Sequence, residues 1–505
     1  MRRLFAVAFL LLCSPLAHGA VLQAPSTTNN DDSCDIGPLP AATLLLPYFA
    51  VETANRDVDT FFTVVNVSYL PQIAHITIWT DWAFPVLSFN VFLTGYDVQS
   101  ISLYDVIVNG VIAPGSGGGG TSSTIKPGAL SAANGANPNL SIAGCENLPG
   151  TFNPALRTAI QSALVTGIYN APGFTAGCGA VLVGSPAAFH TTATTAIGYV
   201  TIDVTSRCSA KSGADPAYFA TEILFDNVLT GDYETFSKRT SSAGGNPLVH
   251  IRAVPEGGPA GSMPSADSTT LPYTFYGRYV NGQAVPHVDR RQPLGSTFAA
   301  RWIQGGPTSF NTNLKIWREG VAGPPSCSSV VQNSTLPTAE IVRFDEHENA
   351  TIVIPCNDVC VPIVPPRPPA ATSSNATTDM IFPHTLTTPG DDNGWMYLNL
   401  DSGVSDQTVN RAAHPNFPPK RASQNWVIVS MAGAGSTAGQ FSVDFDATSL
   451  GNGCSPPTAT STAHQGAVPI GPAGGALVCP PGLSLVLGLP CLAGTPPYLG
   501  TNVNP

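Results

Sequence analysis

The densest group of residues that could carry chemistry is the acid–histidine cluster Phe344-Asp345-Glu346-His347-Glu348. On an extended chain, alternate side chains of this cluster project to opposite sides. Carboxylates and imidazole bind divalent metals, so Asp345, His347 and Glu348 are the weak metal candidates of the sequence. The metalloprotease pattern fails, because Asn349-Ala350-Thr351 follows where a second histidine is required. We therefore favour a solvated loop after a strand, and we predict no metal site and no cofactor.

No other motif indicates a catalytic residue. Asp391-Asp392-Asn393-Gly394 has the residue types of a turn and of a calcium loop, but Pro389 stands where an EF-hand requires an acid. The glycines from 117 to 120 lack the lysine of a phosphate-binding loop, and the nucleophile elbow of serine hydrolases is absent. Paired carboxylates remain an alternative, since acids far apart in sequence can hydrolyse a glycosidic bond together. The acids on predicted strands are Asp203, Glu340, Asp444 and Asp446.

The amino terminus predicts export. Arg2 and Arg3 precede an apolar run, from Leu4 to Leu12, that is too short to cross a bilayer as a helix. Small residues lead up to Gly19, which predicts a signal peptide over residues 1–19, with cleavage after Ala20 as the alternative. A lipoprotein signal ending at Cys13 is disfavoured, because Leu12 occupies a position that requires a small residue. We expect a secreted or cell-envelope protein with no membrane span in the mature chain.

The cysteines favour disulfides. The chain has eleven, and ten remain once Cys13 is removed with the leader. An even count in an oxidising compartment is typical of disulfide cross-links, and zinc is disfavoured because no Cys-x-x-Cys spacing occurs. The candidate disulfide cysteines are Cys145 and Cys178, which bracket a predicted insertion, Cys479 and Cys491 in the tail, and Cys356 and Cys360, while ten cysteines leave the full connectivity open.

The composition excludes several classes of partner and of chain. A net charge of −11 disfavours binding to phosphate backbones, so we expect no nucleic-acid partner. The 49 glycines and 47 prolines indicate many turns, while a hydrophobic fraction of 43% is too high for a generally disordered chain.

Alternating apolar residues predict an all-β protein. Leu87, Phe89, Val91 and Leu93 alternate with more polar neighbours, which is the period of a half-buried strand. Similar short runs recur between turns, so we predict two tandem antiparallel β-sandwich domains, immunoglobulin-like or jelly-roll-like, with long loops. The predicted divisions are a polar lead segment (20–40), a first domain (41–254), a linker (255–272), a second domain (273–454) with a Pro-rich loop at 361–379, and a Gly/Pro-rich tail (455–505).

One short helix is predicted inside the first domain. Asn153 can cap it, Pro154 suits its first turn and Gly167 suits its end. It lies in a predicted loop and helix insertion at about 114–190. A predicted strand from Ile223 to Leu229 follows this insertion.

The two halves of the chain carry a weak sequence echo. Thr60-Phe61 leads to Ile76-Thr77-Ile78-Trp79, and Thr297-Phe298 leads to Leu314-Lys315-Ile316-Trp317. Later, Gly198-Tyr199-Val200 is echoed by Gly394-Trp395-Met396. Duplication and chance similarity among aromatic strands both explain this pattern.

Several motifs resemble a family of secreted bacterial proteins to which no activity is assigned. They are Leu45-Leu46-Pro47-Tyr48-Phe49, Thr60 to Ser68, Trp79-Thr80-Asp81-Trp82 and Leu93 to Gln99. The resemblance implies export and a β-rich architecture, and it implies no ligand or catalytic residue.

These observations favour a non-enzymatic β-sandwich protein with a binding or structural role at the cell exterior. Its partner would be an unknown surface or extracellular ligand, recognised by loops at the ends of the sandwich. The alternative is a secreted hydrolase, with glycans as its candidate substrate, that uses scattered carboxylates. The tryptophans add little, because a buried aromatic core is the better expectation for them than a sugar platform.

Overall fold

The computed structural model describes residues 36–112, 137, 140–141, 145, 153–171, 179–253, 291–318, 340–353, 378–381, 393–400, 424–434 and 440–450. Short gaps interrupt it at 188–189, 191, 214, 216–217, 219–220, 239–241, 293, 296, 306–309 and 348–349. The described chain is an all-β, sandwich-like fold made of antiparallel sheets with few helical residues, as predicted.

Residues 43–251 form the first sheet pair. Its five-stranded sheet has the order β11-β1-β8-β3-β4, and its four-stranded sheet has the order β10-β9-β2-β5. A separate two-stranded ladder joins β6 to β7. The strands are β1 Thr43–Glu52, β2 Val58–Asn66, β3 Gln72–Thr80, β4 Pro85–Leu93, β5 Val98–Ser102, β6 Ile168–Tyr169, β7 Val181–Leu182, β8 Thr195–Thr205, β9 Leu229–Ser237, β10 Ser242–Pro247 and β11 Val249–Ile251.

Residues 297–449 form the second sheet pair. Its sheets have the orders β15-β14-β17-β12-β20 and β16-β13-β18-β19. The strands are β12 Thr297–Ile303, β13 Asn311–Arg318, β14 Glu340–Asp345, β15 Ala350–Val353, β16 Thr378–Ile381, β17 Asn393–Asn399, β18 Asn425–Ala434, β19 Gln440–Asp446 and β20 Thr448–Ser449.

The two sheet pairs have the same strand order. If β1 to β5 are matched with β12 to β16, and β8 to β11 with β17 to β20, both sheets of one pair reproduce both sheets of the other. The register agrees as well, since Thr43 faces Asp203 and Thr297 faces Asn399. The echo between Gly198 and Gly394 therefore joins equivalent positions. The other echo does not, because Trp79 lies on β3 while Trp317 lies on β13, the counterpart of β2.

A threonine ties the two sheets together in each pair. The Thr60 hydroxyl donates to the Ala50 carbonyl at 3.0 Å and accepts from the Ala50 N–H at 3.3 Å. Thr312 makes the same two bonds to Ile303, at 2.8 and 2.9 Å. Since Thr60 and Thr312 occupy matching positions on β2 and β13, this repeated contact strengthens the structural correspondence.

The helix prediction is confirmed. Helix α1 spans Pro154–Thr166, the Asn153 side chain accepts from the Ala155 and Leu156 N–H groups, and Gly167 ends it at φ +75°. Its buried residues, Ala159, Ile160, Ala163 and Leu164, pack on the first sheet pair, where α1 contacts β8 and β4. Both faces of β3 are consequently covered, and all nine of its residues are buried. A short π-helix, Asp105–Asn109, follows β5.

Two sequence predictions are wrong in this region. The run from Ile223 to Leu229 is not a strand, because Ile223 makes only an isolated bridge to Thr205 and β9 begins at Leu229. Cys145 pairs with Cys208, at a Cα–Cα distance of 5.4 Å, rather than with Cys178. The Ser141 N–H bonds the Ser206 carbonyl, so the segment leading to Cys145 runs beside the chain that leaves β8.

The structure does not test several other predictions made from the sequence. The signal peptide, the linker at 255–272, residues 361–377 of the Pro-rich loop, the tail, and Cys178, Cys356, Cys360, Cys479 and Cys491 lie outside the described residues. The last two residues of the predicted loop, Thr378 and Asp379, instead begin strand β16. Whether each sheet pair folds alone as a domain is likewise a prediction. Within the described part of the chain, none of the helices combines the length and hydrophobicity that crossing a membrane requires.

Candidate functional site

The main cluster of exposed hydrophobic side chains lies at one end of the four-stranded sheet in the first pair. Tyr96 is 73% exposed, Tyr69 62%, Val98 59% and Val67 38%. We call these four residues the apolar corner. Val98 faces Val65 across the β2–β5 ladder, and the half-buried Val65 extends the apolar surface along the outer side of the sheet. Side chains this exposed contribute nothing to a core, so the corner is a candidate contact surface.

The chain holds the two tyrosines in fixed positions. The Tyr96 N–H donates to the Ser68 carbonyl at 3.0 Å, and Tyr96 adopts a left-handed conformation at φ +60°, which is uncommon for a bulky residue. Gly95 lies so close to the Tyr69 backbone that a Cβ there would sit 2.1 Å from the Tyr69 carbonyl oxygen. The two turns that carry the tyrosines are therefore packed directly against each other.

Polar side chains lock these turns. The Asn66 amide donates to the carbonyls of Leu70 and Thr94, at 2.8 and 2.9 Å. The Asp97 carboxylate accepts from the N–H and the hydroxyl of Thr94, at 3.0 and 3.1 Å. Because the backbone is held in this way, a partner that contacts the tyrosines need not first order the turns that carry them.

The same outer surface carries acids beside the apolar corner. Asp232 and Glu234 are exposed on β9, on either side of the buried Tyr233. Asp232 faces Thr63 of β2, and Glu234 faces Phe61. We call these two carboxylates the acidic row.

A second candidate site for chemistry is the contact between β10 and β19, where the two sheet pairs meet. Asp444 and Asp446 alternate along β19, so both carboxylates point to one side, about 7 Å apart along the strand. The Lys315 ammonium bonds Asp444 Oδ2 at 2.8 Å, and the Ser430 hydroxyl bonds Oδ1. The Trp426 indole N–H donates to Asp446 Oδ1 at 2.9 Å. The Asp444 side chain packs closely against β10, as a Cβ added to Gly244 would lie 2.7 Å from the Asp444 carboxylate.

Burial alters the proton affinity of two groups at this contact. It raises the pKa of Asp446 to about 6, against the opposing effect of the hydrogen bond from the Trp426 indole. It also raises the pKa of Tyr233 well above its usual value, and the charges of Asp444 and Asp446 add to that rise. Tyr233 is 3% exposed, and its hydroxyl has no hydrogen-bond partner among the described residues.

A third polar group, around Asp203, is part of the architecture. The Thr43 hydroxyl donates to one Asp203 oxygen at 2.5 Å, and the Tyr218 hydroxyl donates to the other at 2.7 Å. The buried Arg291 guanidinium lies 3.7 Å from the same carboxylate and donates to the Leu224 carbonyl at 2.7 Å. Asp203 is 1% exposed, so this acid, a sequence candidate for hydrolysis, instead holds segments 218–224 and 291 against the sheet.

The acid–histidine cluster forms a turn. Asp345 Oδ1 accepts from the His347 N–H at 2.8 Å, and Glu346 makes a surface ion pair with Arg301 at 2.7 Å. Glu348 lies outside the described residues, as does the side chain of Glu340. In the described part of the chain, no group of three or more His, Cys, Asp or Glu residues is placed to hold a metal ion. Among the strand acids whose side chains the structure describes, Asp203, Asp444 and Asp446, it is Asp444 and Asp446 that lie together.

The exposed aromatic side chains differ from those that the sequence suggested. Five of the six tryptophans are buried and Trp395 is half-buried, whereas Tyr69 and Tyr96 reach the surface. The signal for Tyr96 lay in Gly95-Tyr96-Asp97, a turn pattern in which an aromatic side chain has no core to enter.

Comparison with known proteins gives no relative, since neither a protein-family model nor a curated protein sequence matches this chain. The assignment of function accordingly depends on the geometry described above.

Proposed function

We propose that this protein is an exported, non-enzymatic binding protein whose contact surface is the apolar corner. The observation that carries the proposal is the concentration of four exposed, rigidly placed hydrophobic residues at one end of one sheet. Rigid tyrosines provide a large contact area at low cost in conformational entropy, and aromatic residues dominate the binding energy of many interfaces.

The location outside the cytoplasm belongs to the proposal. The predicted leader supports it, and so does the Cys145–Cys208 disulfide, because disulfides persist in oxidising compartments. Mass spectrometry of protein recovered from the envelope and the medium should show Cys145 and Cys208 cross-linked and the chain starting after residue 19 or 20. Reduced thiols at both cysteines, or an intact leader on all of the protein, would contradict export.

The binding role can be tested by replacing both exposed tyrosines, in a Tyr69→Ser, Tyr96→Ser variant. We expect its association with envelope fractions of the producing cells to fall about tenfold or more, the loss typical when a binding hot spot is truncated. The matched control is Ile168→Ser, Leu182→Ser, which removes a different exposed apolar pair, on the β6–β7 ladder. If both variants bind as the parent does, the apolar corner is not the contact surface.

A secreted hydrolase is the second candidate, and the Asp444–Asp446 pair favours it. Asp446, whose carboxyl has a pKa of about 6, lies two residues from Asp444 on the same side of the strand, about 7 Å along it, which is comparable with the spacing of the acid and base of inverting glycosidases. It ranks second because Lys315 and Ser430 already occupy both oxygens of Asp444. Hydrolysis of a panel of soluble polysaccharides, lost in both Asp444→Asn and Asp446→Asn, would establish this function and displace the first proposal.

A further inference from the structure

The outer face beside the apolar corner carries charge of one sign. Strands β2, β5, β9 and β10 contain no lysine, arginine or histidine, and their exposed charges are Asp232 and Glu234. The nearest basic residues along these strands, Arg56 and Lys238, lie at the opposite end of the sheet, where Arg56 is bonded to Asp59 at 2.9 Å and the Lys238 backbone joins Asp57. Lys238 follows β9, eight residues (about 27 Å) beyond Thr230 and four residues (about 14 Å) beyond Glu234.

The register gives the distances between the apolar and acidic groups. Val98, Val65 and Thr230 form one row across β5, β2 and β9, and Ser100, Thr63 and Asp232 form the next. Neighbouring rows lie about 7 Å apart, and neighbouring strands about 4.8 Å apart. Val98 and Asp232 are therefore separated by about 12 Å, and Glu234 lies one row further on.

The edge of this sheet is less suited to a partner than its face. On β5, the outermost strand among the described residues, the Asp97 carboxylate already accepts from the Val98 N–H at 2.9 Å. The Gln99 side chain donates to the Ser100 carbonyl at 2.8 Å. These local bonds compete with the addition of a further strand, so a partner would lie across the face.

We propose that this face binds a polypeptide segment that sets apolar side chains on the apolar corner and basic side chains, about 12 to 17 Å away, on the acidic row. The inference rests on the proposed binding function and adds the chemistry of the partner. The two carboxylates of the acidic row attract a basic partner and repel anionic glycans and nucleic acids. A second copy of this chain is disfavoured, because the same face would bring no basic group to the contact.

The test uses a random octapeptide library on beads, incubated with the full-length labelled protein at low salt. We expect the retained peptides to be enriched in Lys or Arg together with Leu, Val or aromatic residues. For a peptide from this pool, Asp232→Asn, Glu234→Gln should weaken binding by about 2- to 30-fold, as expected for two exposed ion pairs, and added salt should remove the difference. Tyr69→Ser, Tyr96→Ser should weaken the same peptide by about tenfold or more.

The controls separate this inference from the function on which it rests. Asp57, a half-buried acid at the other end of the sheet, provides the control variant Asp57→Asn, which should bind as the parent does. If neutral or acidic peptides, or an uncharged oligosaccharide such as chitotetraose, bind and only the tyrosine variant loses them, the binding function stands and the basic partner is wrong. If no peptide is retained at millimolar peptide concentration, or if retention is unchanged in both face variants, the inference is overturned.

Discussion

The two sheet pairs share one framework. In each, a glycine on the central strand lies beside a stacked aromatic pair: Gly198 next to Trp79 and Tyr199, and Gly394 next to Phe344 and Trp395. A Cβ at either glycine would sit about 2 Å from a neighbouring backbone carbonyl. Close backbone packing, aromatic stacking and the repeated threonine contact between sheets are therefore the features that the two pairs share.

The polar interiors differ. In the first pair, the Thr43 hydroxyl donates to Asp203. The Asp203 carboxylate also accepts from the Tyr218 hydroxyl and forms an ion pair with Arg291. In the second pair, the equivalent Thr297 is fully buried, and its hydroxyl has no partner among the described residues. The same framework therefore tolerates a charged network in one copy and none at this threonine in the other, which suggests that the network serves to fix the segments that cover the first pair.

The largest effect is expected for Asp203→Ala. The substitution leaves the Arg291 guanidinium buried without its carboxylate and removes the acceptor of the Tyr218 hydroxyl. Breaking a buried ion pair in this way should lower the free energy of unfolding by about 3–5 kcal/mol. Urea denaturation followed by tryptophan fluorescence measures it. Asp232→Ala, at an exposed acid, should stay within about 0.5 kcal/mol of the parent. A loss for Asp203→Ala as small as that would show that the network is not structural.

A pH-dependent gain is expected for Asp446→Asn on the second pair. The folded pKa of Asp446, about 6, exceeds the ordinary aspartate value of 3.8, so the folded state favours the protonated carboxyl. The stabilising contribution of protonation is fully present below pH 3.8 and is lost as the pH rises through 6. At pH 8 the buried charge costs up to about 3 kcal/mol, and Asn removes that cost while keeping an oxygen for the Trp426 N–H.

Thermal and urea unfolding of Asp446→Asn should therefore show a higher stability than the parent at pH 8 and little difference near pH 4. Asp232→Asn provides the matched control, because its exposed carboxylate should give no such pH-dependent gain. An Asp446→Asn variant that is less stable than the parent at both pH values would mean that the ionised carboxylate stabilises the contact between β10 and β19.

Equal losses are expected for Gly198→Ala and Gly394→Ala. Each added methyl group would lie about 2 Å from a backbone carbonyl, of Trp79 or of Phe344, so a strand must shift. Overpacking of this kind costs about 1–3 kcal/mol. Gly37→Ala is the control, since its Cβ would meet nothing within 4 Å. Losses that differ strongly between the two glycine variants would break the structural correspondence between the sheet pairs.

Much of the local structure was predictable from the sequence. The alternation from Leu87 to Leu93 predicted β4, and Asn153, Pro154 and Gly167 predicted both ends of α1, because these signals act between near neighbours. Strand β10 was missed, since the segment from Ser242 to Pro247 has the glycine and polar residues of a loop and pairs only because β9 lies beside it.

The candidate site was harder to predict, because it depends on contacts between distant residues. The turns that carry Tyr69 and Tyr96 come together where β2 pairs with β5 and β3 pairs with β4. Cys145 reaches Cys208 only where its segment runs beside the end of β8. Asp446 was one of four acids that the sequence could not rank, since its burial arises from the contact between the two sheet pairs. The alternation of apolar and polar residues along one segment does not show which distant residues come into contact.

The smallest effect is expected from valine in place of the equivalent threonines. Thr43→Val removes the hydroxyl that bonds Asp203 and should cost about 1–3 kcal/mol, the penalty for leaving a buried charged acceptor short of a bond. Thr297→Val removes a buried hydroxyl with no described partner, so the stability should be unchanged or rise by up to about 1 kcal/mol. Both variants keep the side-chain shape, and urea denaturation compares them directly. Similar losses in the two would mean that Thr297 has a polar partner equivalent to Asp203, and the contrast between the two interiors would then vanish.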